Sequence, residues 1–333
     1  MIKVTFYDTK PWFQVFFDKH PSRSEIDWHF VDTRLNADTA VLAKGSEAVC
    51  LFVNDQGNAQ TFETFRELGV KLIVLRSAGF NNIDIEAARR LQLRVVRVPA
   101  YSPNAVAEHT LALFLTLNRK IHRAYNRVRE FNFQLNGLVG HNVAGKTVAV
   151  IGAGKIGRIV AQIFKGFEAE VLAYDPYPDQ AWADANGIKF VDFNEALTTA
   201  DIISLHVPLT PESRHLLNKY TLPRIKKGAF IINTSRGELI ETAALLEAIR
   251  QGQLGGVALD VYEEEEGVFF EDLSEHGLAD DDLARLLTFP NVLITSHQAF
   301  LTHEALNEIV RITTENILRW SKNKEFLADT VLV

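Results

Sequence analysis

The sequence predicts an α/β chain made of two doubly wound parallel sheets, with one domain inserted into the other. Two observations predict it. Short apolar segments alternate with helical patterns along most of the length, as in parallel sheets covered on both faces. And residues 148–175, VAVIGAGKIGRIVAQIFKGFEAEVLAYD, join an apolar strand to a glycine-rich turn, a helical pattern and a second strand that ends on an acid.

In chain order, IKVTFYD (2–8), AVCLFVN (48–54), KLIVLRS (71–77) and RVVRVPA (94–100) read as strands, with helices over 57–68 and 83–91. Ser102 suits a helix N-cap and Pro103 a first helical turn. A long apolar helix, 103–123, then bridges to the second domain. That domain opens with a strand at 147–151. It continues with EVLAY (170–174), DIISLHV (201–207), AFIINTS (229–235), GVALDVY (256–262) and NVLITSH (291–297), for about six or seven strands. A helix over 302–320 and a short tail return to the first domain. The expected domains are 1–101 with 299–333, and 102–298 inserted between them. A cleft between two domains favours a small-molecule ligand.

With 333 residues the chain can bury two cores. Its net charge of −7 argues against nucleic acid and anionic membranes as partners. A single cysteine, Cys50, excludes an internal disulfide and a cysteine-based metal site, and in AVCLFV it reads as buried strand filler. No metal is expected. MIKVTFYD lacks a signal-peptide pattern and no apolar run reaches membrane-spanning length, so the expectation is a cytoplasmic protein.

The glycine-rich unit has a physical reading at each position. Gly152 permits the tight turn, Gly154 lets a pyrophosphate approach the backbone, and Gly157 lets the helix pack closely on the sheet. The helix N-terminus offers free N–H groups to the phosphates. Asp175 lies where it can accept from ribose hydroxyls, and its charge would repel a 2′-phosphate. The expected cofactor is therefore NAD, bound to a Rossmann domain.

Ligands of such sheets gather beyond the carboxyl ends of strands. There the sequence places Arg236 and Gly237 after IINTS, Asp260 and the acidic run Glu263–Glu266 after GVAL, and His297 after NVLITS. Each has a plain structural alternative: a surface ion pair, a solvated acidic face, a structural histidine. Together they match the needs of 2-keto acid reduction. A planar guanidinium can hold a carboxylate with two parallel hydrogen bonds. An imidazolium can protonate the ketone oxygen, and a nearby carboxylate favours the charged imidazole. Which acid of the run does this is left open by spacing alone.

The chain resembles the D-isomer-specific 2-hydroxyacid dehydrogenases, and within them the D-lactate dehydrogenase branch. The segments carrying the resemblance are LRSAGFNNIDIEAA (75–88), VPAYSPNAVAEHT (98–110), VIGAGKIG (150–157), NTSRGELI (233–240), LDVYEEE (259–265) and TSHQAFLT (295–302). HQAF (297–300), with its large aromatic, and the long acidic stretch over 267–286 favour the D-lactate branch.

The resemblance implies a Rossmann cofactor domain inserted into a flavodoxin-like substrate domain. It implies catalytic roles for Arg236, Glu265 and His297, with Glu265 as the acid at the sixth position of the DVYxxE segment. The backbone of Ser77, Ala78 and Gly79 would receive the substrate carboxylate, and Tyr101 and Phe300 would narrow the pocket. Lys155 and Ile156 would join the glycines in the phosphate loop, and Val207, Pro208, Thr234, Ser235 and Asp260 would line the rest of the NAD site. The expected reaction is reversible, D-specific reduction of pyruvate to D-lactate. Alternatives are a larger 2-keto acid substrate or an NAD-sensing, corepressor-like binding module. A homodimer or higher homo-oligomer is expected, formed through the cofactor domains.

Overall fold

The structure, a computed structural model, describes residues 1–333. The chain runs β1 (Ile2–Phe6), α1 (Pro11–Lys19), β2 (Ile26–Phe30), β3 (Ala48–Leu51), α2 (Ala59–Glu67), β4 (Leu72–Leu75), α3 (Ile85–Arg90) and β5 (Arg94–Val96). Next come α4 (Pro103–Asn118), α5 (Ile121–Arg129), β6 (Thr147–Ile151), α6 (Lys155–Gly166), β7 (Glu170–Tyr174), α7 (Gln180–Asn186), β8 (Lys189–Phe190) and α8 (Phe193–Thr199). The remainder is β9 (Ile202–Leu205), β10 (Phe230–Asn233), α9 (Thr242–Arg250), β11 (Gly256–Leu259), α10 (Asp281–Thr288), β12 (Val292–Ile294) and α11 (His303–Ser321). By contact the chain divides into two units, Met1–Ser102 with Phe300–Val333, and Pro103–Ala299.

The first unit holds a parallel sheet in the order β2-β1-β3-β4-β5. β3 and β4 are buried at every residue, as strands covered on both faces must be. On one face Val49, Leu51, Ile73 and Leu75 pack with Phe62 and Phe65 of α2. On the other, Phe6 meets Phe17 of α1 with ring centroids 4.9 Å apart, edge to face. The buried Arg76 fastens the carboxyl edge of this sheet. Its Nη2 donates to the carbonyls of Tyr7 (2.8 Å) and Asp8 (2.9 Å), and its guanidinium carbon lies 4.0 Å from the Phe6 centroid. Burial pushes the Cys50 thiol up to about 11, so Cys50 is inert filler. α11 starts at Thr302, whose hydroxyl accepts from Ala305 N–H, and the tail after it pairs with β5 through Leu332 N–H to Val95 carbonyl at 2.8 Å.

The second unit holds a parallel sheet in the order β12-β11-β10-β9-β6-β7-β8. The order reverses at β6, which pairs with both β7 and β9, and such a switch point opens a crevice at the carboxyl ends. Alternate residues of β6 feed opposite cores. Val148 and Val150 pack with Phe114 of α4 and Val160 and Phe164 of α6. Ala149 and Ile151 face Leu197 of α8 and Leu245 of α9.

Some elements differ from expectation. α1 and β2 were not foreseen, because their buried faces are made of spaced aromatics (Phe13 and Phe17, then Trp28) rather than aliphatic runs. β8, two residues long, was also unforeseen. The expected 103–123 helix is two helices, broken where Lys120 adopts a left-handed conformation at φ 53°. No helix is long and apolar enough to cross a membrane.

Candidate active site

The crevice of the second unit begins at the turn after β6. Gly152 has φ 100°, and a Cβ there would lie 2.6 Å from the His206 carbonyl oxygen. A Cβ on Gly157 would lie 1.9 Å from the Gly152 carbonyl oxygen, so α6 can start this close to the turn only with glycine. Gly154 is the N-cap of α6 and supplies no side-chain cap, and nothing lies within 4 Å of where its Cβ would be. Open space over uncapped N–H groups, with Lys155 exposed and Ile156 beside it, fits a pyrophosphate. Asp175, half-buried at the end of β7, accepts from Ala153 N–H (2.8 Å) and Tyr177 N–H (2.9 Å). Each of its oxygens keeps acceptor capacity for a ribose hydroxyl. These features fit NAD.

β9 ends in His206, Val207 and Pro208. Val207 is half-buried against the core and Pro208 is exposed. Thr234 is buried, its hydroxyl 2.9 Å from that of Thr110 on α4, so its side chain ties the helix to the sheet. Ser235 donates its hydroxyl to the Leu205 carbonyl at 3.2 Å.

The Arg236 turn is shaped by a residue the sequence reading missed. Buried Asn233 donates its amide to the Arg236 carbonyl (2.8 Å) and accepts from Ser235 N–H (3.0 Å). At Gly237 a Cβ would fall 2.0 Å from the Tyr262 carbonyl, so the turn lies directly against the backbone leaving β11. Arg236 Nη1 donates to the Ser235 carbonyl at 2.6 Å, and no acid pairs with its guanidinium.

His297 Nδ1 lies 2.9 Å from Glu265 Oε1, and Nε2 has no protein partner. Glu265, not Glu264, makes the contact. Glu263 belongs to another pair, with Oε1 2.5 Å from His215 Nε2 and Oε2 accepting from Thr242 N–H. Burial pushes the Glu263 carboxyl up, but the Thr242 N–H and His215 outweigh it and hold it below the usual carboxylate range.

Asp260, expected in the NAD lining, also ties together the protein around it. It is fully buried, and its carboxylate is engaged by the protein. It accepts from Thr295 hydroxyl (2.5 Å), Gln298 N–H (2.9 Å) and Ala299 N–H (2.8 Å), and lies 3.2 Å from His109 Nε2. The Asp260 carbonyl also accepts from His297 N–H at 2.7 Å. This one residue shapes the turn that holds His297 at φ 52°.

The first unit carries the other expected positions. After β4, the Ser77 hydroxyl donates to the Gly79 carbonyl (2.8 Å), and Arg97, not foreseen, donates to the Ala78 carbonyl (2.8 Å). Tyr101 and Phe300 meet edge to face at 6.2 Å. Phe300 also packs on Trp12 and Phe52, each with centroids 6.1 Å away, and neither was foreseen.

Residues 111–299 match the NAD-binding domain of D-isomer specific 2-hydroxyacid dehydrogenases. A 2-hydroxyacid dehydrogenase homolog of Haemophilus influenzae is 47% identical over 97% of each chain. The chain belongs to the D-isomer-specific 2-hydroxyacid dehydrogenase family. Within that family it falls in the D-lactate dehydrogenase branch. The apo-structure of Escherichia coli D-lactate dehydrogenase superposes with a TM-score of 0.90 at 44% identity, covering 100% of both chains. That of D-lactate dehydrogenase with NAD⁺ from Lactobacillus jensenii gives 0.81 at 29% identity, covering 99% of both. As in other 2-hydroxyacid dehydrogenases, the cofactor is NAD.

Proposed function

We propose that the protein reduces pyruvate to D-lactate, reversibly and with D-specificity, preferring NADH to NADPH, in the cytoplasm. The observation that carries this reading is the His297–Glu265 pair at 2.9 Å, with His297 Nε2 left free. Glu265 holds Nδ1, so the proton to be transferred sits on Nε2. The Glu265 carboxylate fixes the ring orientation, and Nε2 gives its proton to the ketone oxygen. Arg236, with no acid of its own, is available to hold the substrate carboxylate through two parallel hydrogen bonds. Bound NADH supplies the hydride. Phe300, set by Tyr101, Trp12 and Phe52, supports a small 2-keto acid over a branched one. Asp175 favours NADH because its charge opposes a 2′-phosphate.

Loss of nicotinamide absorbance on mixing the protein with NADH and pyruvate tests the activity. A rate series from pyruvate to 2-ketoisocaproate tests the substrate, and faster turnover of the larger acid would displace pyruvate. Binding of NADH without turnover of any 2-keto acid would leave an NAD-sensing module instead.

A homodimer is part of the same proposal. Seven large apolar side chains between Ile121 and Val139 are exposed, from Ile121, Tyr125 and Val128 on α5 to Phe131, Phe133, Leu135 and Val139 beyond it. So many exposed large apolar side chains within one short stretch of chain suit an interface.

A further inference from the structure

The glycine-rich turn has a second charged neighbour besides Asp175. Arg158, in the first turn of α6, donates Nε to the Ala153 carbonyl at 2.9 Å. The N–H of the same residue, Ala153, goes to Asp175 at 2.8 Å. An acid and a guanidinium therefore flank one residue at the mouth of the proposed ribose site. The guanidinium is not free. Its Nη2 lies 2.9 Å from Asp179 Oδ2, and its carbon lies 4.8 Å from the Trp182 ring centroid. Asp179 is also the N-cap of α7, with Oδ1 accepting from Trp182 N–H at 3.1 Å. The Trp182 N–H and then Arg158 hold the Asp179 carboxyl below the usual carboxylate range.

An arginine near the end of the second Rossmann strand is the group that accommodates the 2′-phosphate of NADP. Its fork matches a phosphate in charge and shape. Here that group is present but occupied. We propose that Asp179 is a second determinant of dinucleotide choice, holding Arg158 away from the 2′ position that Asp175 guards. The inference rests on the NADH-over-NADPH reading and deepens it. Asp175 repels a 2′-phosphate directly, whereas Asp179 both cancels the Arg158 charge and fixes the guanidinium against Trp182. With Asp175 alone removed, a 2′-phosphate still meets a neutralised arginine. With both acids removed, it meets a free cation. The two substitutions must therefore act more than multiplicatively.

The experiment is direct titration of the full chain with NADH and NADPH, followed by nicotinamide fluorescence, with no substrate present. The variants are Asp175→Ala, Asp179→Asn, the double variant, and the double variant with Arg158→Gln. Asparagine caps a helix as well as aspartate, so Asp179→Asn retains α7 while removing the charge and the Oδ2 acceptor that Arg158 meets. The readout is the ratio of the NADPH to the NADH dissociation constant. Asp175→Ala lowers it. Asp179→Asn alone changes it less than about twofold, because Asp175 still repels. The double variant lowers it roughly threefold to fivefold beyond the product of the singles, as suits an exposed ion pair. Adding Arg158→Gln abolishes that excess. A double variant equal to the product of the singles, or an excess that survives Arg158→Gln, overturns the proposal. A starting ratio near one in the unaltered protein instead overturns the NADH preference itself.

Discussion

Nδ1 of His297 and Oε1 of Glu265 are 2.9 Å apart, joining the turn after β12 to the acidic run after β11. Glu265→Gln keeps an oxygen at that place and removes its charge. We expect kcat for pyruvate reduction to fall about 10- to 100-fold, within the range for general acid catalysis. NADH affinity, measured by fluorescence, stays unchanged. Normal turnover would exclude the pair from proton donation.

Arg236→Lys retains a positive charge and loses the planar fork. Losing one charge-assisted hydrogen bond of about 1.5–3 kcal/mol should raise KM for pyruvate by ten- to a hundredfold. Steady-state kinetics at saturating NADH measure it. An unaltered KM places Arg236 outside the substrate site.

Asp260→Asn leaves at least one of the Gln298 and Ala299 N–H groups facing an amide instead of a carboxylate. An unsatisfied buried donor costs about 1–3 kcal/mol. The melting temperature should drop by several degrees. kcat should fall further than this instability explains, because the same turn carries His297. A lowered melting temperature with full kcat would reduce Asp260 to a purely structural tie.

The dependence on sequence distance explains what could be read beforehand. The glycine turn, its helix and Asp175 are close in the chain, so their spacing carried their geometry. Arg236 and His297 were visible as residues just past apolar strands. The internal ties of Asp260 were not legible because its partners, His109, Thr295, Gln298 and Ala299, lie 35 or more residues away and only the fold brings them in. The choice among Glu263, Glu264 and Glu265 depends on how the backbone leaves β11, where Gly237 packs against it, and no local pattern reports that. Lys120 hid the break between α4 and α5 because lysine is a good helix former and seldom left-handed.

His206 makes stability depend on pH. Its Nε2 lies 2.7 Å from the Ser204 hydroxyl, Nδ1 is buried without a partner, and burial pushes its pKa down from 6.5 to about 3. The folded state therefore refuses a proton that the unfolded chain accepts. The stabilisation is full above about pH 6.5 and is lost as pH falls toward 3. At pH 4.5 the loss should be about 2–3 kcal/mol. Denaturant unfolding at pH 7 and pH 4.5 measures it, with His206→Gln as the control. A variant that loses as much stability on acidification as the unaltered protein would remove His206 as the cause.

The segment after α5 is tied to α5 and to Lys120 before it. Arg127 Nη1 donates to the Asn136 carbonyl at 2.7 Å, Asn132 N–H to the Arg127 carbonyl at 2.9 Å, and Lys120 Nζ to the Val139 carbonyl. These bonds give the segment a shape but bury little of it, since Phe131 is 85% exposed and Leu135 79%. A second copy covering these side chains would remove that apolar area from water. Phe131→Glu with Leu135→Glu should then weaken self-association at least thirtyfold, the effect of losing one interface anchor of about 2 kcal/mol. Sedimentation equilibrium across a dilution series measures it, and the melting temperature extrapolated to low protein concentration should stay within about two degrees, because neither side chain contributes to a core. If the double variant sediments as the unaltered protein does, the subunits meet through another surface.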